Sequence, residues 1–222
     1  MFSLIIPCYN EEKRIIPVIN NFLNSFSDIE IIIVNNGSTD KTADLVRDLN
    51  NKVRLLDFKE KLGKGGAIIK GFKAAKGEFV GFSDADQSVM PDDFKKLIKY
   101  LKFYDCAIGS RRIKGANITV KQSLKRRISS RMFNIIVNLM FDLKIKDTQC
   151  GAKVFKKEVI KKIIPELRIK GFAFDIDLLY NIKISGYKIK EVPVDWKHQY
   201  GSKFSLGNAP KMFLSLLRLR FK

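Results

Sequence analysis

The chain has 222 residues, 45% of them hydrophobic, and 42 Lys and Arg against 23 Asp and Glu, a formal net charge of +19. That length fits one compact domain rather than a string of modules, and no apolar run approaches the roughly 20 residues that span a bilayer. The positive balance favours polyanionic partners, whether nucleic acid, anionic lipid or phosphorylated substrate, without choosing among them.

In chain order, apolar strands are expected at Ser3–Pro7, Glu30–Asn35, Val53–Leu56, Phe79–Phe82 and Cys106–Gly109. Helical patterns lie between them near Glu12–Ser25, Asp40–Asp48, Gly66–Ala75 and Pro91–Leu101. This alternation argues for an α/β fold with a mainly parallel sheet flanked by helices. The start, Met1 to Pro7, has neither the basic segment nor the cleavage site of a signal peptide and reads as the first strand, so a cytosolic location is expected. Cys8, Cys106 and Cys150 lack the paired spacing of a disulfide framework or zinc site and are expected to be buried apolar residues.

Ligands of such sheets collect beyond the carboxyl ends of the strands. There the sequence places Tyr9-Asn10-Glu11, Asn35-Asn36-Gly37-Ser38 and Asp84-Ala85-Asp86. The last triplet follows an apolar strand and offers two carboxylates one residue apart, hard oxygen ligands for a divalent cation that could neutralise a diphosphate. Gly63-Lys64-Gly65-Gly66 supplies flexible backbone ahead of a helix, with Lys64 available to an anion. Asp40 has a plainer reading as a helix cap.

From Cys106 to Phe141 there is no acid, while Arg111, Arg112, Lys114, Lys121, Lys125, Arg126, Arg127 and Arg131 make one face strongly positive. Lys121–Phe141 reads as a long helix, basic first and apolar after. It suits either a membrane interface or a core helix with a solvated basic end. Pro210–Lys222 is a second candidate interfacial helix, and docking is expected through such helices or through a membrane-anchoring partner protein.

The motifs Ile6-Pro7-Cys8-Tyr9-Asn10-Glu11-Glu12, Val34 to Asp40, Gly63-Lys64-Gly65, Ser83-Asp84-Ala85-Asp86, Gly109-Ser110-Arg111, Arg126 to Arg131 and Asp147-Thr148-Gln149-Cys150-Gly151 occur in the order found in one family. With them the chain resembles the family 2 glycosyltransferases of GT-A fold, in the dolichyl-phosphate hexosyltransferase branch, over nearly its whole length. Asp147–Gly151 with Phe172-Ala173-Phe174-Asp175 is closer to the glucosyl-phosphate than to the mannosyl-phosphate synthases.

The resemblance implies one catalytic domain over 1–222, residues 1–110 binding a nucleoside diphosphate sugar and 111–222 the acceptor, with interfacial helices at 121–141 and 210–222. Pro7, Tyr9, Asn10, Glu11, Asn35, Asn36, Lys64, Asp84, Ala85 and Asp86 are the implied donor contacts. Asn35 and Asn36 stand where the family usually carries two Asp. Asp84 and Asp86 would hold Mg²⁺ or Mn²⁺. The branch's further ligand, a Gln two residues past the second Asp, is replaced by Ser88, which leaves Gln87 as the candidate.

Arg111, Arg126 and Ser130 match the acceptor-phosphate positions. The i,i+4 spacing of Arg126 and Ser130 puts both on one helix face, and Arg127 and Arg131 are assigned to solvent or headgroups. In Trp196–Lys203, a segment resembling the family's closing loop, Lys203 is the closing cation, ahead of His198, for which a structural role is equally open.

The implied reaction is inverting transfer of a hexose, from UDP-glucose first and GDP-mannose second, to polyprenyl or dolichyl phosphate at the cytosolic face of a membrane. Two other readings are carried forward. One is transfer to a glycan hydroxyl, with Asp175 or Asp177 as base. The other is a basic nucleic-acid-binding protein, which would leave the ordered motifs without a purpose, so no nucleic-acid partner is expected.

Overall fold

A computed structural model describes residues 1–50, 52–120, 123–199 and 209–221. Its main sheet has seven strands: β1 (Phe2–Cys8), β2 (Ile29–Asn36), β3 (Arg54–Phe58), β4 (Phe79–Ser83), β5 (Cys106–Ser110), β7 (Ala152–Lys156) and β8 (Ile189–Pro193), in the order β3-β2-β1-β4-β7-β5-β8. Only β7 runs antiparallel to its neighbours. It inserts between β4 and β5, so strands from early and late in the chain share one sheet. β6 (Asn117–Val120) and β9 (Asp195–Lys197) form a small parallel ribbon beside it.

Alternation along the strands divides the core in two. Ile5, Ile32, Val34, Phe82 and Phe155 face one layer, and Leu4, Ile6, Ile31, Ile33 and Val154 face the other. The first layer is covered by α3 (Gly63–Ala74), α5 (Leu124–Phe141), α6 (Lys157–Ile163), α7 (Phe174–Ile184) and α8 (Ala209–Arg220), through Phe72, Val137, Ile160, Phe174 and Leu216. The second is covered by α1 (Ile15–Ser25), α2 (Thr42–Arg47) and α4 (Pro91–Tyr100), through Phe22, Val46 and Phe94. Each such apolar side chain contributes roughly 1.5–3 kcal/mol on burial.

The expected strands and helices occur within a few residues of their anticipated bounds. α3 starts earlier, at Gly63, because the glycines of the 63–66 segment serve packing. A Cβ at Gly65 would collide with Phe174 and the Ile169 carbonyl, and the Gly66 amide is taken by the Lys170 carbonyl at 3.1 Å. That amide is therefore closed to an anion.

Candidate active site

Because β1, β2 and β4 are parallel neighbours, their carboxyl ends bring residues 9–11, 36–39 and 84–86 to one edge. Short polar side chains lace the first two loops together. Asn10 adopts a left-handed backbone (φ +54°), its amide donates to Ser38 Oγ at 3.0 Å, and its Oδ1 accepts the Thr39 amide at 2.8 Å. The Glu11 amide donates to Thr42 Oγ1 at 2.8 Å. Asp40 accepts the amide of Thr42, the first residue of α2, at 3.0 Å, although the N-cap position itself falls on Lys41.

A cleft of about 480 Å³ opens over this edge. Pro7, Tyr9, Glu11, Asn36, Lys64, Asp84, Ala85 and Asp86 line one part of it, and Arg111, Arg126 and Ser130 another, so most of the sequence-derived candidates share one space. Tyr9 carries the Lys61 ammonium 4.4 Å from its ring centre. Asn10, Asn35 and Gln87 are not among the lining residues. Asn10 ties loops together, and Asn35 is buried with its Nδ2 donating to Asp57 Oδ1 at 2.7 Å. Gln87 has a left-handed backbone (φ +61°), and Ser88 lines the wall instead. Lys203 lies outside the described residues.

Lys64 is committed to carboxylates, 3.0 Å from Asp84 Oδ1 and 3.4 Å from Asp175 Oδ2. Burial alone would lower its pKa, but Asp175 and Asp84 outweigh burial and raise it. Asp175 also receives the ammonium of Lys153, a fully buried lysine whose Nζ donates to the Cys150 carbonyl at 2.7 Å. Burial opposes ionisation of Asp175, yet the two lysines hold its pKa below the usual range. Asp177 is buried, accepting the Arg168 and Ile169 amides at 2.7 and 2.8 Å and Asn181 Nδ2 at 2.8 Å. Asp175 lines the cleft with both its ion pairs made, whereas Asp177 is absent from the cleft wall and burial pushes its pKa up.

Asp86 has the opposite character. Burial, followed by the negative charge of Asp84, pushes its pKa up. Two carboxylates crowded at a cleft wall, with Lys64 on Asp84 and no lysine or arginine ion pair on Asp86 among the described residues, fit a divalent cation. Among the described residues no group of three or more His, Cys, Asp or Glu side chains converges, so the chain offers two carboxylates rather than a complete cage.

The Asp147–Gly151 motif is the hub joining the two parts. Asp147 takes Arg111 bidentately, Nε at 2.7 Å and Nη2 at 2.8 Å, and accepts the Arg111 amide at 3.0 Å. Thr148 donates its hydroxyl to Asn134 Oδ1 of α5 at 2.9 Å, and the Asp84 amide donates to the Gly151 carbonyl at 3.3 Å. Arg111 therefore faces the cleft with Nε and Nη2 committed, leaving three of its five N–H donors.

The sequence marks Arg112, Trp196 and Phe172 only as parts of longer segments, with no individual site role. Arg112 Nη2 donates to Ser130 Oγ at 2.6 Å. Trp196 lines the cleft with its ring 5.2 Å from the Arg111 guanidinium and 5.8 Å from His198, which also lines the wall. Phe133, Phe172 and Met212 add apolar wall to the same cleft. The available signal for Arg112 was the arginine doublet in the acid-free stretch.

Glucosyl-3-phosphoglycerate synthase from Mycobacterium tuberculosis has a similar fold, with a TM-score of 0.74 at 19% identity over 99% of this chain and 79% of that one. Another structure of that synthase, in complex with Mn²⁺, UDP and glucosyl-3-phosphoglycerate, aligns with a TM-score of 0.70 at 19% identity over the same shares. The central sheet and its helices are those of the GT-A glycosyltransferases. In sequence the chain is 34% identical to a dolichyl-phosphate beta-glucosyltransferase of Dictyostelium discoideum over 99% of this chain and 74% of that protein. It is 31% identical to the Saccharomyces cerevisiae protein of the same name, over 98% and 73%. The family described as Glycosyl transferase family 2 matches residues 3–164, and on that match and these relatives the chain belongs to glycosyl transferase family 2 and is an enzyme of that family.

Proposed function

We propose that the enzyme moves glucose from UDP-glucose to dolichyl or another polyprenyl phosphate with inversion, at the cytosolic face of a membrane. The observation carrying this reading is the cleft itself, which joins the Asp84/Asp86 pair to the Arg111, Arg126 and Ser130 cluster beside an apolar wall. The names of the relatives point to the same acceptor and sugar.

Asp84 and Asp86 would hold Mg²⁺ or Mn²⁺, which when bound offsets charge on the leaving diphosphate. Tyr9 with Lys61, Pro7 and Asn36 form the wall for the nucleoside. Asn35 brings no charge there, but the Asp57 carboxylate sits directly behind it. A lipid phosphate is already anionic at neutral pH, so its attack on the sugar needs orientation rather than proton removal. Arg126, the free edge of Arg111 and the Ser130 hydroxyl supply that orientation, while Phe133, Phe172 and Met212 receive the first isoprene units. The commitment of Asp175 and Asp177 to structural partners weighs against a hydroxyl acceptor, which would need a base.

For docking, α5 exposes Leu124, Ile128, Met132, Ile135 and Leu139, α8 exposes Phe213 and Leu214, and Phe221 is exposed just past its end, a surface suited to lipid. No helix among the described residues is long and apolar enough to cross a membrane. Arg126→Ala tests the acceptor assignment: the apparent KM for the lipid phosphate should rise at least about tenfold while UDP binding is unchanged. An unchanged KM would remove Arg126 from the acceptor site.

A further inference from the structure

Helix α5 is a partition with a hollow on each side. Arg126, Ser129 and Phe133 face the cleft, whereas Arg127, Arg131 and Ile135 face a second hollow of about 550 Å³. The i, i+4, i+8 spacing of the latter set puts them on one stripe. Arg111, Ser130 and Trp196 border both spaces.

The second hollow is ringed by five cations, Arg111, Arg112, Arg127, Arg131 and Lys146. Arg112 is fixed between the Lys146 carbonyl at 3.1 Å and Ser130 Oγ at 2.6 Å. Two acids lie nearby, Asp147 and Glu191. Asp147 is taken by Arg111, and Glu191 accepts the Lys146 and Asp147 amides at 2.9 and 3.1 Å. Among the described residues Arg112, Arg127, Arg131 and Lys146 have no carboxylate at ion-pair distance. Burial lowers the pKa of Arg112, and Arg111 and Arg131 add to this against the pull of Asp147 and Glu191. Five cations are thus gathered around one cavity with Asp147 and Glu191 as the acids acting on Arg112.

Planar guanidinium groups around a small hollow suit phosphate oxygens. The lining also includes the exposed Ile118 and Ile135, and Ile135 continues into the exposed Met132 and Leu139 stripe of α5. A phosphate carrying a hydrocarbon chain meets both features, whereas a free phosphate meets only the first. We propose that this hollow, on the far side of α5 from Arg126 and adjoining the cleft at Arg111, Ser130 and Trp196, is a second phosphate site that takes the phosphate head group of a membrane phospholipid. The assignment does not depend on which sugar or acceptor the cleft uses.

The test is vesicle co-sedimentation of the full chain. Three vesicle types are used: phosphatidylcholine alone, phosphatidylcholine with phosphatidic acid, and phosphatidylcholine brought to the same surface charge with a fatty acid. The phosphatidic acid vesicles should bind most tightly. Arg127→Gln/Arg131→Gln should weaken that binding by about thirtyfold, from two cations near a lipid surface. The charge-matched control Lys99→Gln/Lys102→Gln, on exposed lysines that do not line the hollow, should stay within about twofold. UDP binding should be unchanged in both, which verifies the fold. Equal binding to the fatty acid and phosphatidic acid vesicles, or equal losses in the two double variants, would overturn the proposal. Full displacement by inorganic phosphate at the lipid phosphate concentration would overturn the lipid assignment in favour of free phosphate.

Discussion

Gly151 lies directly beneath Asp84, so that a methyl group in place of its hydrogen would occupy the space of the Asp84 carboxylate. The hydrogen bond from the Asp84 amide to the Gly151 carbonyl fixes the same approach from the backbone side. A glycine far along the sequence therefore sets the position of an acid at the end of β4. Gly151→Ala should reduce transfer by about a hundredfold, the scale of loss when a catalytic group is misplaced by about an ångström. Circular dichroism and Tm should show a folded protein. Activity near that of the parent would mean that Asp84 can shift without consequence.

Asp86→Asn keeps the shape of the side chain and removes the charge that burial and Asp84 make hard to hold. Transfer should fall on the order of a thousandfold, as expected when a preorganised electrostatic group is lost. Calorimetry should show that the gain in UDP affinity from added Mn²⁺ disappears, while metal-free binding is retained.

Asp147 and Arg111 form a buried bidentate pair, with Asp147 1% exposed. Burial opposes the Asp147 charge, but Arg111 holds its pKa below the ordinary value of about 4. A depressed folded value means that the stabilisation is complete above the unfolded pKa and is lost as pH falls through the folded one. Asp147→Asn should cost about 3 kcal/mol at neutral pH in urea unfolding. The deficit relative to the parent should shrink below about pH 4, where the parent loses the same contribution.

Lys153 is fully buried and its ammonium is satisfied by Asp175 and the Cys150 carbonyl. Asp175→Asn should destabilise by about 3–5 kcal/mol by leaving that charge uncompensated. Lys153→Met/Asp175→Leu should recover much of the loss, because removing both charges removes the desolvation cost as well. If Asp175→Asn were fully stable and abolished transfer with a bell-shaped pH profile lost, Asp175 would be a base and a hydroxyl acceptor would return.

The first half of the fold was legible because its strands are continuous apolar runs ending in Asn, Asp and Gly, and its helices have a clean apolar stripe. β7 was harder to read. Ala152–Lys156 is short and carries Lys153 in its middle, a residue that reads as exposed until Asp175 is brought against it. β8 mixes Ile189, Lys190 and Glu191, a pattern without an obvious core face. In the site, local motifs placed Asp84, Asp86, Arg126 and Ser130 at one cleft. The partners of Lys64, Arg111 and Asn35 come from Asp175, Asp147 and Asp57, and contacts over such distances leave no local spacing to read. The same applies to the Gly63–Gly66 turn, whose composition suggests an anion cradle but whose glycines admit Phe174 and Lys170.

The central claim is most directly tested by incubating the protein with labelled UDP-glucose or GDP-mannose and a polyprenyl phosphate, with Mn²⁺ or with a chelator, and following label into the organic phase. Label from UDP-glucose should enter the lipid only with the divalent cation, and Arg126→Ala should slow that entry. A folded protein that binds UDP yet leaves the lipid phosphate unlabelled while glucosylating a glycan hydroxyl would contradict the account.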